Sequence, residues 1–417
     1  MPSSFRRPPR FAVGCAVAAL SAALSGPAWA DPAPGYDALV ARLSDTPLIA
    51  EAGALIDAAE ARVRQARVRP NPVLGLEAEN AFGSGPFDGY SNAETSLNLS
   101  TDLELWGRRG ARVDVARAEA DTASRRAALV AADAAGRLAL YYAEAEAADR
   151  RFALATEALT LTLADTRAAL ALVEEGREPL LRGIEGQTEA AAARARLDEA
   201  QAERDAAFAR LTGFAMLVVP VTSIDQTLLD RTPAFVATQT PVAPAVLVAQ
   251  AEREAADRRI AVERIRARPD VRASVGVRRF EAEDATALTF GLSVPLPLFD
   301  RNRGNVEAAQ ADFRAADARL RGARQEAEAD RVAARARLGS AASRVSATDS
   351  GVSSAEEAYR LSRIGAEAGR ISQLELRSSR TALIAARNAA LDARLARVRA
   401  EIDLARLDGR APFGAAQ

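Results

Sequence analysis

Four stretches of this chain alternate apolar and polar residues with a period of two. Residues 73–82 put Leu74, Leu76, Ala78 and Phe82 on one face and Glu77 and Glu79 on the other. Residues 93–105 oppose Leu97, Leu99, Leu103 and Leu105 to Glu94, Asn98, Ser100, Asp102 and Glu104. Further on, Val271, Ala273, Val275 and Val277 oppose Arg272, Ser274 and Arg278, and a series from Leu288 through Phe290, Leu292, Val294 and Leu296 to Leu298 opposes Thr289, Gly291 and Ser293. This predicts β-strands with one apolar and one polar face. Each is about ten residues long, the length a tilted strand needs to cross a bilayer. A water-facing sheet packed on a helix alternates in the same way, so the pattern alone admits both.

Around the strands the text is rich in Ala, Arg and Glu, and predicts helices. Residues 36–69 and 244–268 lead into the strand pairs, 110–172 and 305–365 form very long helices, and 180–211 and 372–408 return from them. A helix of about 60 residues is ~90 Å long, far beyond the globular norm. The small residues from Ala127 to Gly136 favour close, coiled-coil-like packing. Gly136 and Gly339 are candidate breaks. Gly176 and Gly369 are candidate helix ends, each followed by an antiparallel return.

These elements occur twice in the same order. Pro70 and Pro269 lie 199 residues apart, Gly110 and Gly304 lie 194 apart, and Gly176 and Gly369 lie 193 apart. The expected organisation is a repeat over 31–211 with hairpin 73–105, a linker or small belt over 212–243, and a second repeat over 244–417 with hairpin 271–298. Four strands cannot close a barrel, and open sheet edges are not tolerated in lipid. If the strands span a membrane, other copies of the chain must complete the barrel; three copies would supply twelve strands.

The N-terminus reads as a cleaved secretory signal over 1–30. Arg6, Arg7 and Arg10 precede the apolar stretch Phe11–Leu24, and Ala28-Trp29-Ala30 offers a cleavage site. Cys15, the only cysteine, lies within it, so the mature chain carries no disulfide. No second segment reaches the 18 or so apolar residues of a membrane-spanning helix. Aromatics gather at the strand ends: Phe82, Phe87, Tyr90, Trp106, Phe280 and Phe299 fit an interfacial girdle, or simply cap a packed sheet.

Charge and missing residues narrow the chemistry. The formal net charge of −1 gives no basic excess with which to bind nucleic acid. The chain has no histidine, and its two methionines are the initiator and Met216, so soft and imidazole metal ligands are absent from the mature chain. Neither a G-x-S-x-G elbow nor a phosphate loop is present, and no cofactor or enzymatic activity is expected. Glu77, Glu79, Glu94, Asp102 and Glu104 could line a lumen and favour cations weakly, or could simply be the polar interior any barrel has.

The runs Asn71-Pro72-Val73-Leu74-Gly75-Leu76-Glu77, Leu103-Glu104-Leu105-Trp106-Gly107-Arg108-Arg109-Gly110 and Pro295-Leu296-Pro297-Leu298-Phe299-Asp300-Arg301-Asn302-Arg303-Gly304 resemble the TolC-like outer membrane efflux protein family. In wording they are most similar to its CzcC-like branch, whose members serve heavy-metal efflux. The resemblance covers nearly all of the mature chain. It implies a mainly α fold with four β-strands per chain. A homotrimer would form a twelve-stranded barrel in outer-membrane lipid above a periplasmic α-helical tunnel. It further implies a periplasmic adaptor and an inner-membrane RND pump as partners. The helical tips at Gly176-Arg177 and Gly369-Arg370 would meet the adaptor.

The resemblance also implies a periplasmic constriction of acidic side chains one to two turns after the second tip glycine. Glu375 stands at the first such position and Ser378 at the second, which is acidic in some relatives; Arg182 holds the matching place in the first repeat. The function expected is passive conduction of divalent heavy-metal cations from pump and adaptor to the exterior. A multidrug or type I secretion duct of the same fold is the alternative within the family. A soluble periplasmic coiled-coil adaptor is the alternative outside it.

Overall fold

The computed structural model describes residues 32–231 and 241–413. The expected signal at 1–30 lies outside the described residues. In chain order the elements are α1 (Tyr36–Ala41), α2 (Pro47–Ala66), β1 (Val73–Glu79), β2 (Glu94–Leu103), α3 (Arg108–Glu174), α4 (Leu180–Phe214), α5 (Pro244–Arg266), β3 (Val271–Phe280), β4 (Ala285–Ser293), α6 (Arg303–Glu367) and α7 (Gln373–Leu407). The lead-in expected as one helix over 36–69 is broken at Arg42–Thr46. Pro47 lacks an N–H and disfavours helical backbone before it, so it restarts the helix at its first position.

α3 and α6, of 67 and 65 residues, run unbroken through Gly136 and Gly339. Gly136 is instead a point of close approach: a Cβ there would lie 2.8 Å from Cγ of Arg406. α3 packs against α2 and α5 along its sheet-proximal half and against α4 and α7 along the other half. α6 packs against α5 and then α7 in the same manner. Each repeat therefore contributes one full-length stave and two shorter ones stacked end to end.

The strands form one antiparallel sheet in the order β1-β2-β3-β4, leaving β1 and β4 as open edges. β1 ends at Glu79 because Asn80 and Phe82 take left-handed backbone. β4 stops at Ser293, short of the alternation that reached Leu298, because Pro295 and Pro297 have no N–H for a ladder.

The thickest core sits midway along the helices. There the segment after α4 folds back so that Val221, Leu228 and Leu229 pack on Leu138 and Tyr142 of α3, Leu211 of α4, and Leu395 and Val398 of α7. Each large apolar side chain buried here is worth about 1.5–3 kcal/mol relative to its exposed state. Residues 215–231 are thus a packed belt rather than a loose linker. Elsewhere the staves meet through alanines such as Ala316, Ala334 and Ala341, as the small-residue text requires.

Candidate functional site: barrel wall, tunnel seam and tunnel tip

The register sorts the sheet into two faces. Leu97 opposes Val277 and Leu99 opposes Val275, while Ser96 opposes Arg278, Asn98 opposes Gly276 and Asp102 opposes Arg272. The apolar face is uncovered: Leu76 is 74% exposed, Phe290 78% and Leu292 68%. No helix packs across it. A sheet meant for water would bury this face, so its exposure selects the membrane-facing reading of the alternation. No helix among the described residues is long and apolar enough to cross a membrane.

The polar face is tightly furnished. At Gly276 a Cβ would collide with Oδ1 of Asn98 and lie 2.7 Å from the carbonyl oxygen of Leu97. Arg278 bridges Glu94 at 3.0 Å and Glu79 at 3.4 Å, and Arg272 holds Asp102 at 2.8 Å. Glu104 lies beyond the end of β2 and pairs with Arg112 of α3 at 2.7 Å. Of the five candidate lumen carboxylates, Glu77 alone makes no ion pair among the described residues. The other four give this face a largely arginine-paired surface. The sequence missed the pairs of Glu79, Glu94 and Asp102 because their arginines lie some 170–199 residues away, in the other repeat.

The aromatics separate into two levels. Phe82 stands with Tyr90, ring centroids 6.1 Å apart, and Phe87 follows in the outer loop. At the helix-proximal end Trp106 donates Nε1–H to the Pro269 carbonyl at 3.2 Å and lies under the Arg268 guanidinium, while Phe299 is 99% exposed. Phe280 departs from the expected girdle. It opposes Glu94, which puts it on the polar face.

Both tip turns are Schellman motifs. Gly176 has φ 68° and Gly369 has φ 70°. In each, the next residue donates five positions back: Arg177 N–H to Leu172 O at 2.9 Å and Arg370 N–H to Gly365 O at 2.8 Å. Leu180, Leu181 and Leu374 flank these turns and are exposed. Glu375 forms a capping box with Ser372: its backbone N–H donates to Oγ of Ser372 at 3.3 Å, and its carboxylate accepts from the Ser372 N–H at 3.0 Å. Its side chain remains exposed, as does Ser378.

One turn beyond Glu375 lies an ionic cluster absent from the sequence reading. Arg380 of α7, only 4% exposed at its side chain, donates to Asp165 of α3 and to Glu189 of α4. Arg377 adds contacts to Glu185 at 3.4 Å and Glu189 at 3.2 Å. Burial pushes the Asp165 carboxyl above the usual range, against the opposing charge of Arg380. The available signal was arginines at i and i+3 on α7 and glutamates at i and i+4 on α4, but nothing in the sequence pairs the two helices.

Further up, Arg387 joins Glu157 and Glu356, and Arg394 joins Asp230 and Asp349. At the belt Glu146 is buried and accepts from the N–H groups of Leu228 at 2.7 Å and Leu229 at 3.2 Å. Tyr142 hydrogen-bonds the Gln226 carbonyl, and burial pushes its hydroxyl up to about 12. The described residues contain no cluster of His, Cys, Asp and Glu able to hold a metal ion.

An uncovered apolar sheet on long helical staves matches known proteins. The family model described as outer membrane efflux protein matches residues 39–215 and 242–410. The nickel-cobalt-cadmium resistance protein NccC of Alcaligenes xylosoxydans xylosoxydans is 37% identical over 305 residues, covering 72% of this chain and 70% of that protein. The nickel and cobalt resistance protein CnrC of Cupriavidus metallidurans is 39% identical over 318 residues, covering 75% of each. Among solved structures, CusC superposes with TM-score 0.77 at 19% identity, covering 90% of this chain and 92% of that one. The open-state MtrE channel of Neisseria gonorrhoeae gives 0.75 at 18%, covering 91% and 89%.

Proposed function

Because this chain belongs to the outer membrane efflux protein family, we propose that it is the heavy-metal-exporting member of a tripartite assembly. As a family member it is an efflux channel component of the outer membrane. The proposal adds three copies closing the barrel, divalent cations as cargo, and an adaptor and RND pump at the tunnel tip. The observation that carries the channel reading is the uncovered apolar sheet with two open edges, which one chain cannot complete. Family membership sets aside the soluble adaptor.

Support for metal cargo comes from the metal-resistance relatives. The composition fits conduction without capture, since thiolate, imidazole and thioether ligands are nearly absent. The energy source lies in the pump. Glu375 and Ser378 belong to the narrowing, and Gly176, Arg177, Gly369 and Arg370, with Leu180, Leu181 and Leu374 beside them, form the adaptor-facing tips. The repeats are assigned to 31–211 and 244–417, with the belt over 212–243.

Deleting the gene tests the cargo. Sensitivity to nickel, cobalt, zinc or cadmium is expected to rise while sensitivity to hydrophobic drugs stays the same. A rise for drugs alone would replace the metal reading with a multidrug one.

A further inference from the structure

The internal repeat supplies a template for a contact that one chain cannot make. α4 and α7 are both 35 residues long and begin at Leu180 and Gln373, so their positions correspond at an offset of 193. The same offset relates the tip glycines Gly176 and Gly369, and it carries back along the unbroken helices α3 and α6. Within the chain α7 packs antiparallel against α3. The corresponding partner of α4 would be α6, yet the extended packing of α4 is on α3, its ion pairs to α7 lie near the tip, and no seam joins it to α6.

The α3–α7 seam is crossed by ion pairs. Arg151 meets Asp392 at 2.6 Å, Glu144 meets Arg399 at 2.7 Å and Asp133 meets Arg406 at 2.8 Å. Carried across by 193, Arg151 becomes Arg344 and Asp392 becomes Glu199, so the charges of that rung are retained. Glu144 becomes Arg337, and its partner position falls on Ala206, one turn from Glu203. Asp133 becomes Glu326, and its partner position falls on Gly213, one turn from Arg210. The signs are exchanged in the first of these two rungs and retained in the second, and each stays complementary.

All six of these residues are exposed in the single chain, and none makes an ion pair among the described residues. Exposed charges are ordinary on helices. Three complementary sets in antiparallel order, at the positions a duplicated seam predicts, are not.

We propose that α6 of one copy docks on α4 of the next through an ionic seam. Arg344 meets Glu199, Arg337 meets Glu203 and Glu326 meets Arg210. The occupant of this face is a second copy of the chain, and the inference rests on the multi-copy channel proposed above. The seam inside the chain and the seam between copies are then built alike, and the ring closes with near-sixfold regularity. Like other exposed pairs, these rungs act through register and partner choice more than through affinity.

The mature chain lacks cysteine, so paired substitutions give a clean test. E199C with R344C, treated in outer-membrane vesicles with a short bis-maleimide, is expected to yield covalent dimers and trimers. R151C with D392C should instead close within one chain. In parallel, E199R and R344E singly should reduce the recovered trimer several-fold, and the double exchange should restore it. Native mass of the detergent-solubilised wild type separates the two readings. A trimer whose E199C/R344C chains stay uncrosslinked, while the internal pair closes, overturns the seam but leaves the channel. A wild-type protein that is monomeric in membranes and in detergent overturns both.

Discussion

Arg380 on α7 reaches across the seam to Asp165 on α3 with its guanidinium almost wholly buried, while its other arm extends to Glu189 on α4. One side chain thereby ties together three helices from both repeats, about two turns into α7 from the tip. Replacing it with Ala takes the paired cation from Asp165 and leaves Glu189 to Arg377. We expect R380A to lose about 3 kcal/mol locally, the scale of breaking a buried pair. Bilayer recordings should show larger or noisier conductance, and unchanged conductance would separate the cluster from the tip's closure.

Glu375 offers a cleaner separation of stability from conduction. Glutamine can replace glutamate in a capping box, so E375Q keeps the N-terminus of α7 while removing the charge. The expected outcome is reduced cation preference in reversal-potential measurements with unaltered thermal stability. E375A should cost in addition about 1 kcal/mol for the lost cap.

Asp230 gives a pH dependence of defined sign. The hydrogen bond from Arg150 holds its carboxyl below the usual range, helped by the charge of Arg394. A carboxylate with a depressed folded value contributes stability above its unfolded value, near 3.9, which is lost as pH falls through the folded value. Thermal melts should show D230N less stable than wild type at pH 7, with the difference shrinking as pH falls below the unfolded value and through the depressed folded one.

The belt depends on Glu146, which accepts from the backbone N–H groups of both Leu228 and Leu229. E146A should cost roughly 3 kcal/mol or more, since it leaves two buried donors unpaired and removes one of the two carboxylates that hold Arg150. Limited proteolysis would then cut within 215–231 first. Protection equal to wild type would show that the apolar contacts of Leu228 and Leu229 suffice.

Gly276 should tolerate no side chain. G276A drives a Cβ into Asn98 and Thr289 on the neighbouring strands. The expected outcome is loss of heat-modifiable, folded barrel on unboiled gels, with the periplasmic helices retaining their circular dichroism.

Much of this was legible in the sequence, because each pattern reported one local rule. Period-two alternation marked all four strands, and the tip glycines sat where left-handed backbone was needed. Proline explains two of the misplacements, at Pro47 and at Pro295. There the hydrophobic period continued past a residue that cannot donate. Gly136 was read as a break because glycine weakens helices, whereas the structure uses it to admit Arg406. The charge pairing was illegible for a different reason. Arg278 and Glu94, or Arg380 and Asp165, are joined only by tertiary register, so the lumen and tip looked more acidic in the text than they are once folded.

The unbroken course of α3 and α6 has a mechanical consequence. At 1.5 Å per residue, the 67 residues of α3 make a beam ~100 Å long, clamped near its middle by the belt. A beam held at its midpoint is a lever with two arms of about 50 Å each. A few degrees of tilt at the belt swings the tip sideways by several ångströms, and the opposite arm presses on the foot of the strands. Work applied at the entrance is therefore felt at the floor of the barrel, with no joint between them to absorb it.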